Sequence, residues 1–277
     1  MTDYIKEIKD LITSTIQEGA SDLHISNGRH PTIRVLGTLI PLVKKPVLTP
    51  EDTLALVKVL IPEDKYDEFL TEKSFDFSYS FEDKVRFRCN AFFSGGSAGV
   101  AMRLIPRIIP SVEELNLPES LLDFARLEQG FFLVVGPVGQ GKSTTLASMI
   151  EVINKERAEH IVTIEDPIEY VFADDKAIID QREVNQDTKG FAEALRATFR
   201  QDPDVIMLGE MRDAETISTA ITAAETGHLV FATLHTNSAA QTIHRIVDSF
   251  PSGQQSQVRA QLSGSLLGVV SQRLVPR

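Results

Sequence analysis

Residues Gly136-Pro137-Val138-Gly139-Gln140-Gly141-Lys142-Ser143 fit the pattern G-x-x-x-x-G-K-[ST]. Each residue type has a use in that pattern. Glycines let backbone amides approach a phosphate closely. Lys142 supplies a positive charge for β- and γ-phosphates, and the Ser143 hydroxyl suits Mg2+. The helix that follows points its N-terminus at the anion. Pro137, Val138, Gln140 and Thr144 complete the expected cradle. The apolar run Phe131 to Val135 precedes it and a helix is expected from Ser143. That context favours a phosphate-binding loop over a plain glycine-rich turn.

Hydrolysing a nucleoside triphosphate also takes a carboxylate at a nearby strand end, to hold Mg2+ through water or to activate the attacking water. Asp204-Val205-Ile206-Met207-Leu208-Gly209-Glu210 offers Glu210, with Gly209 where such strands commonly carry aspartate. The plainer reading of Glu210 is a solvated strand-end charge. Glu165, Asp166 and Glu169 follow the buried stretch His160 to Ile164, and Pro167 turns the chain there. In a parallel α/β sheet the C-terminal strand ends line the ligand crevice. These acids are therefore expected to face the same phosphates; the alternative is an ordinary polar loop. His228 and His235 bracket Leu229 to Leu234. Both are candidate phosphate or water sensors, His235 being nearer the expected crevice. Against this, a lone histidine is more often structural. There is no H-x-x-x-H pair and no cysteine partner, so a histidine or cysteine metal site is not expected.

The elements that must position these groups change character near residue 106. Before it, Phe75, Phe77, Tyr79 and Phe81 alternate with polar residues, and Val85, Phe87, Cys89 and Ala91 alternate with Arg86, Arg88 and Asn90. That period of two predicts half-buried antiparallel strands. Thr32 to Leu36 and Thr38 to Leu42 flank Gly37 and read as a hairpin. Helices are expected over 3–18, with Ile5, Ile8, Ile12 and Ile16 on one face, and over about 50–60, capped by Thr49. Residues 1–105 thus form a small α+β domain. Pro106, Pro110 and Pro118 mark 106–118 as a semi-rigid linker.

From 119 to 277 strands and helices alternate. Phe131 to Val135, His160 to Ile164, Asp204 to Leu208 and Leu229 to Leu234 are buried strands, and helices lie over 191–200, 214–225 and 239–247. Repeated βα units imply a parallel α/β sheet. Val258, Leu262, Leu266 and Val269 read as one last amphipathic helix with nothing after it to cover it. A missing C-terminal part or another chain is expected to do so.

The chain has 277 residues and a formal net charge of -11. An acidic balance argues against nonspecific nucleic-acid binding as the main task. No apolar run approaches a membrane span, the start lacks a signal-peptide pattern, and the single cysteine, Cys89, reads as a small core residue. A soluble cytoplasmic protein is expected.

Four stretches together resemble a known family. GPVGQGKSTTL (136–146), TIEDPIEY (163–170), RQDPDVIMLGEMRD (200–213) and AAETGHLVFATLHTNSA (223–239) look like the Walker A, Asp, Walker B and His boxes of bacterial type II/IV secretion-superfamily ATPases. GASDLHIS (19–26) and VRFRCNAF (85–92) match as well. The start of the first domain almost at residue 1, QREVNQDT (181–188) and the methionine of GEMRD are most similar to the PilT-type retraction ATPases of type IV pili. Gln140 stands where that family usually has serine. The chain also stops before the family's AIRNLI-type segment, so its C-terminal part is expected to be truncated.

The resemblance implies a PAS-like N-terminal domain, a RecA-like P-loop core, ATP and Mg2+ as ligands, and a homo-hexameric ring with nucleotide at subunit interfaces. It implies that Glu210 is the Walker B glutamate and that Glu165 and Glu169 belong to the Asp box. Arg86, Arg88 and Arg103 match positions that contact nucleotide phosphates. From the residues alone, Arg86 and Arg88 leave one strand face, which is as often merely solvated. The implied role is a retraction motor acting on an inner-membrane platform protein at the cytoplasmic side, with a PilU-like ATPase as a further partner. Pilus-assembly or secretion motors of the PilB and GspE type, a PilU-like accessory ATPase, a P-loop small-molecule kinase and a nucleotide-gated scaffold are the alternatives.

Overall fold

Asp3 accepts a hydrogen bond from the Lys6 amide and so starts helix α1 (Tyr4–Gln17). The helix buries Ile8, Leu11, Ile12 and Thr15. Ile5 and Ile16, expected on that face, are 60% and 37% exposed. At 3.6 residues per turn they fall roughly 70–90° from the centre of the buried stripe. The computed structural model describes residues 3–82, 85–106 and 108–275. The chain divides into two compact units, Met1–Pro106 and Arg107–Arg277. Arg107 of the expected linker, and Pro276 and Arg277 at the end, lie outside the described residues.

After α1 the first unit runs β1 (Asp22–Ser26), β2 (Thr32–Val35), β3 (Thr38–Pro41), α2 (Pro50–Leu60), α3 (Tyr66–Glu72), β4 (Ser74–Phe81), β5 (Val85–Ser94) and β6 (Ser97–Ile105). The β2–β3 turn holds Leu36 and Gly37 at positive φ, as a two-residue hairpin of primed type requires. Thr49 and Asp52 cap α2 reciprocally. The strands form one sheet in the order β3-β2-β1-β6-β5-β4, with antiparallel neighbours throughout. Phe87, Cys89 and Ala91 point into the core with residues of α1, α2 and α3. Burial pushes the Cys89 thiol up, so it stays protonated and inert.

The second unit runs α4 (Ser120–Ala125), β7 (Gly130–Val135), α5 (Lys142–Glu156), β8 (His160–Glu165), β9 (Ile178–Glu183), α6 (Phe191–Thr198), β10 (Val205–Leu208), α7 (Ala214–Glu225), β11 (Leu229–Leu234), α8 (Ala239–Asp248), α9 (Gln255–Ser265) and β12 (Leu266–Ser271). Its sheet has the order β12-β7-β11-β10-β8-β9, parallel throughout. The apolar run of β7 feeds two cores at once. Phe131, Leu133 and Val135 pack into one cluster, while Phe132 and Val134 pack into another. Part of the proline-marked segment is anchored to this unit, because Val112 is buried in the second of those clusters and the Pro110 carbonyl accepts from Ser148 Oγ at 2.6 Å.

One expected element is corrected. Leu266 and Val269 do not continue a helix from Val258 and Leu262. The helix ends at Ser265, and Leu266–Ser271 turns into a strand on the free edge of β7. Leu-Leu-Gly-Val-Val combines a glycine with two β-branched residues, a poor helix but a good strand. Pairing with β7 also satisfies backbone groups that an open edge would leave bare.

Candidate active site

The C-terminal ends of β7, β8, β10 and β11 open side by side, and a cavity of about 460 Å3 lies over them. The loop leaving β7 forms its floor. Gly136, Gly139 and Gly141 all have positive φ, at 152°, 74° and 80°. At Gly136 a Cβ would lie 2.4 Å from the Gln272 carbonyl oxygen, so space as well as conformation demands glycine. The loop runs straight into the first turn of α5, which carries Lys142, Ser143 and Thr144.

The segment after β12 braces this loop. The Gln272 amide donates to the Val135 carbonyl at 2.8 Å, its side-chain oxygen accepts from Thr145 Oγ1 at 2.7 Å, and Gln140 Oε1 accepts from the Leu274 amide at 2.7 Å. Gln140 thus has a structural use through its side chain, beyond the backbone of the cradle.

Lys142 is only 7% exposed. Its ammonium donates to the carbonyls of Gly136 at 2.9 Å and Pro137 at 3.0 Å, and meets His235 Nδ1 at 3.2 Å. An ammonium can only donate, so Nδ1 accepts and the imidazole proton sits on Nε2. That atom faces Glu210 Oε1 at 3.2 Å. Lys142, His235 and Glu210 therefore form one continuous polar chain. Burial lowers the Lys142 ammonium's affinity for its proton, and Glu210 and Glu169 oppose the effect.

Glu210 accepts from Arg212 at 2.8 Å as well. Burial pushes its carboxyl up, but Arg212 and His235 outweigh that and hold it below the usual range. It is ionised across neutral pH and able to accept a proton from water. Gly209 has a packing reason: a Cβ there would sit 3.3 Å from Glu165 Cα, where β10 passes close to β8. Aspartate at that place would crowd the neighbouring strand.

Glu165 is 6% exposed. It accepts from Thr163 Oγ1 at 2.7 Å and Gln181 Nε2 at 3.1 Å. Burial pushes its carboxyl up to about 7 against those two hydrogen bonds. Asp166 and Glu169 line the same cavity. The structure thus brings Glu165, Asp166, Glu169, Glu210 and His235 to the cradle of residues 136–144.

It does not bring His228 there. That residue precedes β11 at the opposite end of the strand from His235. Its Nδ1 lies 2.9 Å from the Ala223 carbonyl and its ring meets Phe199 edge-on. The sensor role expected for His228 is corrected to a helix-end contact, because a six-residue strand separates it from the crevice.

Arg86, Arg88 and Arg103 belong to the first unit. Arg88 and Arg103 are direct neighbours across β5 and β6, and Arg103 Nε donates to Asp22 at 2.9 Å. Burial raises the Asp22 carboxyl, but Ser21 and Arg103 more than reverse that.

Sequence reasoning passed over Gln181, Thr163, Arg212 and Gln272. Gln181 and Arg212 lie inside QREVNQDT and GEMRD, so a signal was present; Gln272 had none.

The type II/IV secretion system protein family matches residues 2–277. The type IV pilus retractation ATPase PilT of Pseudomonas aeruginosa PAO1 is 46% identical over 271 residues, covering 98% of this chain and 78% of that protein. A twitching motility protein of Neisseria gonorrhoeae is 46% identical over 265 residues, covering 96% and 70%. The crystal structure of the pilus retraction motor PilT with bound ADP superposes with a TM-score of 0.91 at 51% identity, over 96% of this chain and 78% of that one.

Proposed function

The chain belongs to the type II/IV secretion system protein family, and we propose that it drives type IV pilus retraction with the cavity over β7, β8, β10 and β11 as its engine. It is an ATPase of the retraction type, as its similarity to PilT proteins over nearly its whole length supports. The observation that carries the assignment of the engine is the chain of contacts from Lys142 through His235 to Glu210 at the mouth of the glycine loop.

In this reading the amides of residues 136–144 and the Lys142 ammonium hold the ATP phosphates. Lys142 exchanges its carbonyl partners for phosphate oxygens, and its charge is worth most in a site shielded from water. Glu210, ionised and held by Arg212, takes the proton of the attacking water. His235 links the base to the phosphate-binding cation. The donors offered to Mg2+ are hard oxygens, the Ser143 hydroxyl and, through water, Glu210, which fits that ion's preferences. When bound it would neutralise charge on the β- and γ-phosphates.

A homo-hexameric ring is the proposed working form. Arg86, Arg88 and Arg103 of the first unit would then contact nucleotide phosphates, Arg103 after release from Asp22. The proposed partners are an inner-membrane platform protein and a PilU-like ATPase, with the motor at the cytoplasmic face; nucleic acid is not among them. No helix among the described residues is long and apolar enough to cross a membrane.

Deleting the gene tests the direction of movement. A retraction motor is dispensable for building a filament and required for withdrawing it. Mutant cells are expected to carry more and longer pili and to lose twitching, as seen by electron microscopy and plate motility. Cells without surface pili, with pilin retained in the membrane, would show an assembly motor instead.

A further inference from the structure

Residues 166–177 follow β8 without forming a strand or helix, yet they carry Glu169 and Tyr170 at the wall of the cavity. Such a stretch takes its shape from side-chain contacts. Two of these, on Tyr170 and Phe172, come from Gln181 of β9. Its Nε2 donates to Glu165 Oε1 at 3.1 Å and to the Tyr170 carbonyl at 2.8 Å, and its Oε1 accepts from the Phe172 amide at 2.9 Å. Both donors and one acceptor position of a single amide are therefore in use.

The placement is set by register. Gln181 lies directly opposite Thr163 in the parallel β8–β9 pair. Thr163 Oγ1 also donates to Glu165 Oε1, so two adjacent strands send one donor each to the same carboxylate oxygen. The other oxygen lies 3.4 Å from the Glu169 amide. Tyr170, fixed through its carbonyl, places its hydroxyl 3.0 Å from Thr144 Oγ1, one residue past Ser143. Gln181 thus ties together a buried acid, the loop carrying a second acid, and the first turn of the phosphate-binding helix.

We propose that Gln181 is a positioning residue for ATP hydrolysis, holding the Glu165 carboxylate aimed into the cavity while fixing the loop that carries Glu169. The proposal rests on reading the cavity as the ATPase site. Gln181 acts through Glu165 and the loop, without touching the nucleotide.

The electrostatics agree. Burial pushes Glu165 up, Thr163, Gln181 and the Glu169 amide pull it down, and the Glu169 charge pushes it up, which leaves it at about 7. Its other titratable neighbours are Glu183, opposite it on β9, and Asp166, Lys142, Glu210 and His235 around the cavity. Glu165 titrates within the working range, so one donor more or less shifts how much of it is ionised.

Two substitutions should displace the pH profile in opposite directions. Gln181→Leu keeps the approximate shape and removes the donor, which raises the Glu165 pKa further. The loss of activity on the acid side should then begin at higher pH. Gln181→Glu keeps an acceptor for the Phe172 amide but sets a second carboxyl against Glu165. At high pH the two repel; at lower pH they share one proton and restore the original charge. Its optimum should move to lower pH.

The test is steady-state ATP turnover by the full chain and both variants between about pH 6 and 9, with kcat and KM separated. At neutral pH, kcat is expected to fall about tenfold or more in Gln181→Leu and less in Gln181→Glu, with KM for ATP changed less than about threefold in both. Lowered activity with neither profile displaced would reduce Gln181 to a staple and overturn the proposal. Should Gln181→Leu fail to fold, an unmoved profile in Gln181→Glu overturns it equally. Absence of ATP turnover in the unsubstituted chain would strike the ATPase reading itself, so the two failures are distinguishable.

Discussion

Lys142→Ala is expected to abolish both ATP binding and turnover. Lys142 supplies the cation of the glycine loop, and it is nearly buried, where water cannot substitute for it. A charge-assisted hydrogen bond is worth about 1.5–3 kcal/mol, and Lys142 would make more than one to the phosphates. The loss in affinity should reach about 10²-fold or more, read by calorimetric titration with ADP or a slowly hydrolysed ATP analogue. Unchanged affinity in this variant would remove the phosphate-binding assignment of residues 136–144.

Glu210→Gln should separate binding from chemistry. The side chain meets His235 and Arg212 rather than the loop amides, so glutamine leaves the phosphate cradle intact. It cannot take a proton from water. Turnover is expected to fall by at least about 10²-fold, the scale of general-base assistance, while nucleotide affinity stays within a few-fold. Rapid hydrolysis in this variant would pass the role to Glu169 or Glu165, which line the same cavity.

Much of this site was legible because its chemistry is local in sequence. Gly136 to Ser143 sits between an apolar run and a helix, and three residues of it state the ligand class. The strands of the second unit's centre, β7, β8, β10 and β11, were legible because both faces are buried, which leaves unbroken apolar runs. The edge strands were not. β9 reads Ile-Ile-Asp-Gln-Arg-Glu and is half-polar, because among the described residues no strand pairs with its outer side. β12 follows a helix directly, so its first apolar residues extend the helical spacing of Val258 and Leu262 by accident.

The contacts missed were long-range ones between ordinary polar residues. Gln181 and Gln272 carry no chemistry of their own type, and their importance comes from register: Gln181 opposite Thr163, and Gln272 following β12 alongside Val135. Periodicity cannot report such pairings. His228 misled for the opposite reason, since its residue type carries chemistry but strand length puts it at the wrong end of β11.

The most direct test of ATP hydrolysis at this cavity is product analysis after incubating the full chain with Mg2+ and ATP alone, alongside Lys142→Ala. Equimolar ADP and inorganic phosphate are expected, formed over many turnovers and absent with the variant. No phosphate release above the uncatalysed rate, or equal release by the chain with Lys142→Ala, would contradict the assignment.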